Sequence, residues 1–193
     1  MMCCVFFNTE RRNMMSQDLA LRSILWSKNQ TLGRDIISIL AGALVLAIAS
    51  QISIPLQPIP LTFQSVTVLA LGMLLGARLG VYSVITYLVA GAMGAPVFEG
   101  LSAGLHVFFG PTAGYLMGFI PAAWISGYLA QKGFFKTAAV LGTVIIFGMG
   151  FFGLSILMNA EKAWLFGVKP FVVTEFFKVA LLVLIAPRFW KKG

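Results

Sequence analysis

Residues 170–187 read PFVVTEFFKVALLVLIAP, an apolar run bounded by Pro170 and Pro187 that carries one acid, Glu175, and one base, Lys178. A run of this length and composition has the character of a membrane-crossing helix, on which residues three apart share a face. A charged side chain deep in a bilayer costs roughly 2.5–3.5 kcal/mol on insertion scales. The other stretches able to span a membrane carry no charge in their interiors. Glu175 and Lys178 therefore read as a functional site set into a membrane helix, with a self-neutralising pair near the membrane interface as the simpler alternative.

The rest of the chain agrees with that setting. Of its 193 residues 59% are hydrophobic and 10% charged, with a mean hydropathy of +0.93; a soluble domain is about 25% charged. From Asp35 to Pro187 the chain is almost continuously apolar, and Gly and Pro divide it into six predicted helices: Asp35–Ile54, Leu61–Ala77, Leu79–Ala95, Thr112–Lys132, Phe135–Met158 and Phe171–Ala186. The expected fold is an all-α integral membrane protein of six transmembrane helices, residues 34–193, behind a cytoplasmic tail, residues 1–33. With the N-terminus inside, 11 of the 14 basic residues fall on the cytoplasmic side and only Lys162 and Lys169 in outer loops. That split follows the positive-inside rule and puts both termini in the cytoplasm. The tail has no h-region followed by a small-residue cleavage site, so it is not an ordinary signal peptide. Its adjacent Cys3 and Cys4 make no disulfide framework. The net charge of +8 flanks the apolar spans and lines no basic face, which argues against nucleic acid as a partner.

Several polar and small residues stand out against this background. Gly114, Gly118, Ala122, Ser126 and Ala130 recur every four residues, an unbroken small ridge of the kind that lets membrane helices approach closely. Ala43 and Ala47 make a shorter ridge on the first helix, suited to internal packing or to docking another subunit. Thr112, after Gly110 and Pro111, is a plausible N-cap whose helix N-terminus can face a polar ligand. Phe63 and Gln64 open the second helix, and Tyr87 and Tyr115 can line a pocket or sit in an aromatic belt. The segment from Pro96 to Pro111 is a long, Gly-rich connector carrying Glu99, Ser102 and the single histidine, His106. The sequence holds no G-x-x-x-x-G-K-[ST], H-E-x-x-H, C-x-x-C or G-x-S-x-G. The chain reads as a non-enzyme without metal or cofactor, drawing any transport energy from a partner or a gradient.

Four pieces together resemble the BioY family, the biotin-specific S components of energy-coupling factor (ECF) transporters. They are IPLQPIPLTFQS (54–65), LLGARLGVYSVITYLVAGAMGAPVF (74–98), FFGPTAGYLMGF (108–119) and PFVVTEFFKVAL (170–181). The resemblance implies a six-helix S-component fold and partnership with a transmembrane coupling subunit and ATPase subunits. It also implies a multi-pass place in the cell (inner) membrane of a prokaryote. In that family small residues on the first helix meet the coupling subunit, and Ala43 and Ala47 match that spacing. The family's usual Gly-Asp-x-x-Lys is here Thr174-Glu175-Phe176-Phe177-Lys178, and Glu99 and Ser102 stand where glycines are common.

The resemblance implies biotin as ligand, and the chemistry suits it. An ionised Glu175 can accept the ureido N–H groups and Lys178 can donate to the ureido carbonyl. Phe63, Tyr87 and Tyr115 can wall the ring system and the aliphatic chain. Gln64 or the N–H groups of the Pro96–Thr112 loop can hold the valerate; the reverse orientation, with Lys178 on the valerate, is also open. Two other readings compete: an S component for another vitamin such as thiamine or riboflavin, and a ligand-free structural membrane subunit.

Overall fold

The computed structural model describes residues 32–54 and 59–189, with side chains through residue 184. The chain divides into two compact units, Met1–Ile37 and Ser38–Gly193. Of the first, only the opening turns of helix α1 (Leu32–Gln51) are described; the expected tail with Cys3 and Cys4 lies outside the described residues.

After α1 the chain forms a minimal antiparallel ribbon, β1 (Ser53–Ile54) with β2 (Leu61–Thr62), registered Ser53 to Thr62 and Ile54 to Leu61. Helices then follow: α2 (Gln64–Ala92), α3 (Ala113–Gln131), α4 (Phe135–Leu157), α5 (Ala160–Gly167) and α6 (Phe171–Phe189). Two 3-10 turns, Glu99–Leu101 and Leu105–Phe109, lie in the α2–α3 connector. The ribbon corrects the expected ends of the first two helices at Ile54 and Leu61. Three prolines, Pro55, Pro58 and Pro60, fall between the two strands, and a proline cannot continue a helix interior. The last helix was expected to stop before Pro187, but α6 runs on to Phe189. The connector before it, expected as a loop, contains α5.

The second and third predicted helices are the two arms of α2. At Gly76 the backbone takes φ 82°, ψ 171°, a conformation open essentially to glycine alone, and the chain turns back. A Cβ on Gly80 would stand 2.8 Å from the Cα of Gly72, whereas in a straight helix those residues are about 12 Å apart. Gln64 and Tyr87 are likewise hydrogen-bonded across the hairpin. The arms, residues 64–75 and 77–92, therefore lie side by side with almost no gap between their backbones.

Helix α3 is packed on both sides. The small ridge divides its work: Gly114 and Gly118 lie against Met149, Gly150 and Ile146 of α4, while Ser126 lies against Gly72 of the α2 hairpin. Buried Ala122, Ala123, Ala138, Ala139 and Leu69 complete this layer. Small residues inside and large apolar residues outside is the arrangement of helices that pack within lipid. Leu44 and Ile48 on α1, Val144, Phe152 and Ile156 on α4, and Val172, Phe176 and Leu181 on α6 all face outward. Among the described residues α1, α2 and α4 are long and apolar enough to cross a membrane.

Candidate functional site

Helix α6 turns one stripe inward: Phe171, Glu175, Lys178 and Leu182 are buried, at the three- and four-residue spacing of a single helix face. The acid and base are thus directed into the protein and away from the apolar outer face carrying Val172, Val173, Phe176 and Phe177. Lys178 Nζ donates to Glu175 Oε1 at 2.7 Å and to the Thr62 carbonyl at 2.7 Å. The Ser65 hydroxyl donates to the same Glu175 Oε1 at 2.9 Å. Glu175 is only 5% exposed. Its second oxygen, Oε2, is buried without a hydrogen-bond partner among the described residues. An orphan carboxylate oxygen is costly, and the cost is removed by any donor that reaches it.

Glu175 lies on the wall of a cavity of about 230 Å³. Apolar and aromatic walls come from Phe98, Tyr115, Phe119, Ile146, Phe147 and Phe171. Thr62, Gln64, Ser65, Glu99, Ser102 and Thr112 supply polar groups. A mainly apolar concavity with a few convergent polar groups is the usual form of a small-molecule site.

The walls are themselves held in place. The Tyr115 hydroxyl donates to the Gly167 carbonyl of α5 at 2.7 Å, and its ring seats against Gly150, where any side chain would collide. Phe98 stands edge-on to Tyr87 and to Phe108, with centroids 5.4 and 5.8 Å apart, and occupies the space beside Gly91 that a Cβ would need. The connector carrying Phe98 and Glu99 is tied down at several points. Gln51 Nε2 donates to the Phe98 carbonyl, Ser50 donates to the Val97 carbonyl, and Ser53 donates to Glu99 Oε1.

The predicted site residues occupy different positions around this cavity. Glu175, Gln64, Tyr115 and Thr112 lie on its wall. Lys178 stands behind Glu175. Tyr87 is fully buried behind Gln64, whose Nε2 donates to its hydroxyl at 2.5 Å. Phe63 is exposed and does not line this cavity; its ring lies 5.4 Å from Lys178 Nζ. The residue after a strand and before a helix start turns outward here, because Gln64 and Ser65 take the inward positions. Thr112 occupies the N-cap position of α3, but its side chain makes no capping bond. Ala43 and Ala47 are half-buried, packed in part against the protein's own core. Phe98, Ser65, Phe119 and Phe147 were not singled out in the sequence, where they are ordinary members of apolar runs.

The sequence matches the family model described as the BioY family over residues 17–193. The chain belongs to the BioY family. Among its relatives, the probable biotin transporter BioY of Pyrococcus horikoshii is 37% identical over 142 residues, covering 74% of this chain and 87% of that protein. The biotin transporter BioY of Thermotoga maritima is 38% identical over 152 residues, covering 76% and 90%. The fold matches the crystal structure of the S component for biotin from an ECF-type ABC transporter. That match has a TM-score of 0.76 at 22% identity and covers 86% of this chain and 95% of that one.

Proposed function

We propose that this chain is the biotin-capturing membrane subunit of an ECF-type transporter, working with a coupling subunit and ATPases in a prokaryotic cell membrane. The observation that carries the reading is the buried carboxylate residue Glu175 on the wall of an aromatic-lined cavity, with one oxygen unpartnered among the described residues. Biotin's ureido ring brings two N–H donors and one carbonyl acceptor. The ureido N–H groups meet the Glu175 carboxylate, which Lys178, bonded to Oε1 from behind, holds in place. Charge-assisted bonds of this kind, away from water, are the stronger class. Tyr115, Phe98 and Phe147 hold the ring system and the aliphatic chain, and the valerate runs toward Thr112 and the first turn of α3. The family membership and the biotin transporters among its relatives support the choice of vitamin.

The same reading has six crossings with both termini in the cytoplasm: α1, the two arms of α2, α3, α4 and α6. The basic residues concentrate on one side in that topology, which supports it. Ala43 and Ala47 on α1 are the contact for the coupling subunit. The test is equilibrium binding of radiolabelled biotin to the purified protein in detergent, with thiamine and riboflavin as competitors. Saturable binding displaced only by biotin analogues is expected. Folded protein that binds no biotin at micromolar concentration, or that yields it to thiamine or riboflavin, overturns the reading.

A further inference from the structure

The charge on the cavity wall is one-sided. Two carboxylates, Glu175 and Glu99, belong to it, and none of the lining residues is Lys or Arg. Lys178 answers the first: it is bonded to Glu175 and to the Thr62 carbonyl. Among the described residues Glu99 has no such cationic partner; its side chain accepts from the Ser53 hydroxyl, at Oε1, at 3.1 Å. The basic and titratable groups of the neighbouring outer segments, His106, Lys162 and Lys169, are exposed and are not lining residues. Glu99 is fixed in this position because its segment is strapped down. Gln51 bonds both the Phe98 carbonyl and the Leu101 amide, and Ser102 bonds the Glu99 carbonyl.

We infer that Glu99 sets the tail specificity of this site, so that it takes biotin with its carboxyl masked as an amide nearly as well as the free acid. The inference rests on the biotin reading above, with the ureido ring at Glu175 and the tail at the connector. A free carboxylate tail then meets one favourable feature, the first turn of α3 at Thr112, which no side chain caps, and one unfavourable feature, the Glu99 carboxylate. An amide tail forfeits the first and escapes the second, so the two nearly cancel. An amine-bearing tail is attracted by Glu99.

The experiment is competition for the purified full-length protein in detergent with three ligands: biotin, biotinamide and biotinyl-ethylenediamine. For the unmodified protein, biotinamide is expected within about threefold of biotin, and the cationic conjugate at least as tight as biotinamide. In Glu99→Gln the preference for biotin over biotinamide is expected to rise about tenfold. The inference is overturned if the unmodified protein prefers the anion over the neutral tail, and the neutral over the cationic, by tenfold or more at each step. An unchanged biotin-to-biotinamide ratio in folded Glu99→Gln protein overturns it equally. The ligand series on the unmodified protein decides the matter even if the variant fails to fold. Absence of binding by all three ligands refutes the biotin reading itself.

Discussion

Replacing Lys178 by Ala is the sharpest test of the buried pair. The ammonium makes two 2.7 Å bonds, to Glu175 Oε1 and to the Thr62 carbonyl. Removing it leaves a carboxylate 5% exposed, with the Ser65 hydroxyl as its remaining described donor. Breaking one side of a buried ion pair costs about 3–5 kcal/mol, because the surviving charge is stranded. Removing both charges together, Glu175→Gln with Lys178→Ala, strands neither, and the cost falls to about 1–2 kcal/mol for lost hydrogen bonds. The two changes are therefore expected to be non-additive by about 2 kcal/mol or more in a double-mutant cycle of detergent stability. Biotin affinity measured on the same proteins should drop at least about tenfold for Lys178→Ala, since each tenfold corresponds to about 1.4 kcal/mol. Additive stability effects, or a binding isotherm for Lys178→Ala matching the unmodified protein, refute the argument. Either result would mean that the pair is a solvated interfacial contact with no stake in the ligand.

Three other outcomes follow from the same geometry. Tyr87→Phe removes the hydroxyl that receives Gln64 Nε2 in a fully buried position; a stability loss of about 1–3 kcal/mol in thermal unfolding is expected, with a severalfold loss of biotin affinity as Gln64 loosens. Gly76→Ala places a Cβ at φ 82°, 2.6 Å from Gln131 Nε2; the strain of about 1–3 kcal/mol should appear as a lower melting temperature in detergent, and an unchanged melting temperature would contradict the hairpin turn. Bulky residues at Ala43 or Ala47 should leave biotin binding intact and abolish uptake with the partner subunits present; lost binding by a normally assembled protein would assign these residues to the protein's own packing.

Much of this protein is local and therefore readable from its residues in order. Composition alone places the helices in lipid, because no soluble surface can be built with so few charges. The spacing of Glu175 and Lys178 on one face depends only on the helix repeat. The small ridge on α3 is legible for the same reason. Phe63 and Gln64 show where local reading fails: adjacent residues at a strand-to-helix junction point opposite ways, and nothing in their order says which is inward.

The tertiary path decided the rest. The groups that hold Glu175 and Lys178, the donating Ser65 hydroxyl and the accepting Thr62 carbonyl, lie 110 and 116 residues away, and no periodicity predicts which residues a helix face will meet. Gly76 looked like an ordinary break between two helices; only its positive φ and the Gly72–Gly80 contact reveal a hairpin with almost no gap between its arms. Phe98 and Glu99 become cavity walls because Ser50, Gln51 and Ser53 at the end of α1 tie their connector in place. The sequence by itself determined a membrane helix bearing a charged pair, since that follows from hydropathy and a 3.6-residue repeat. What surrounds the pair, and leaves one carboxylate oxygen waiting for a donor, is a matter of long-range packing that only the folded chain decides.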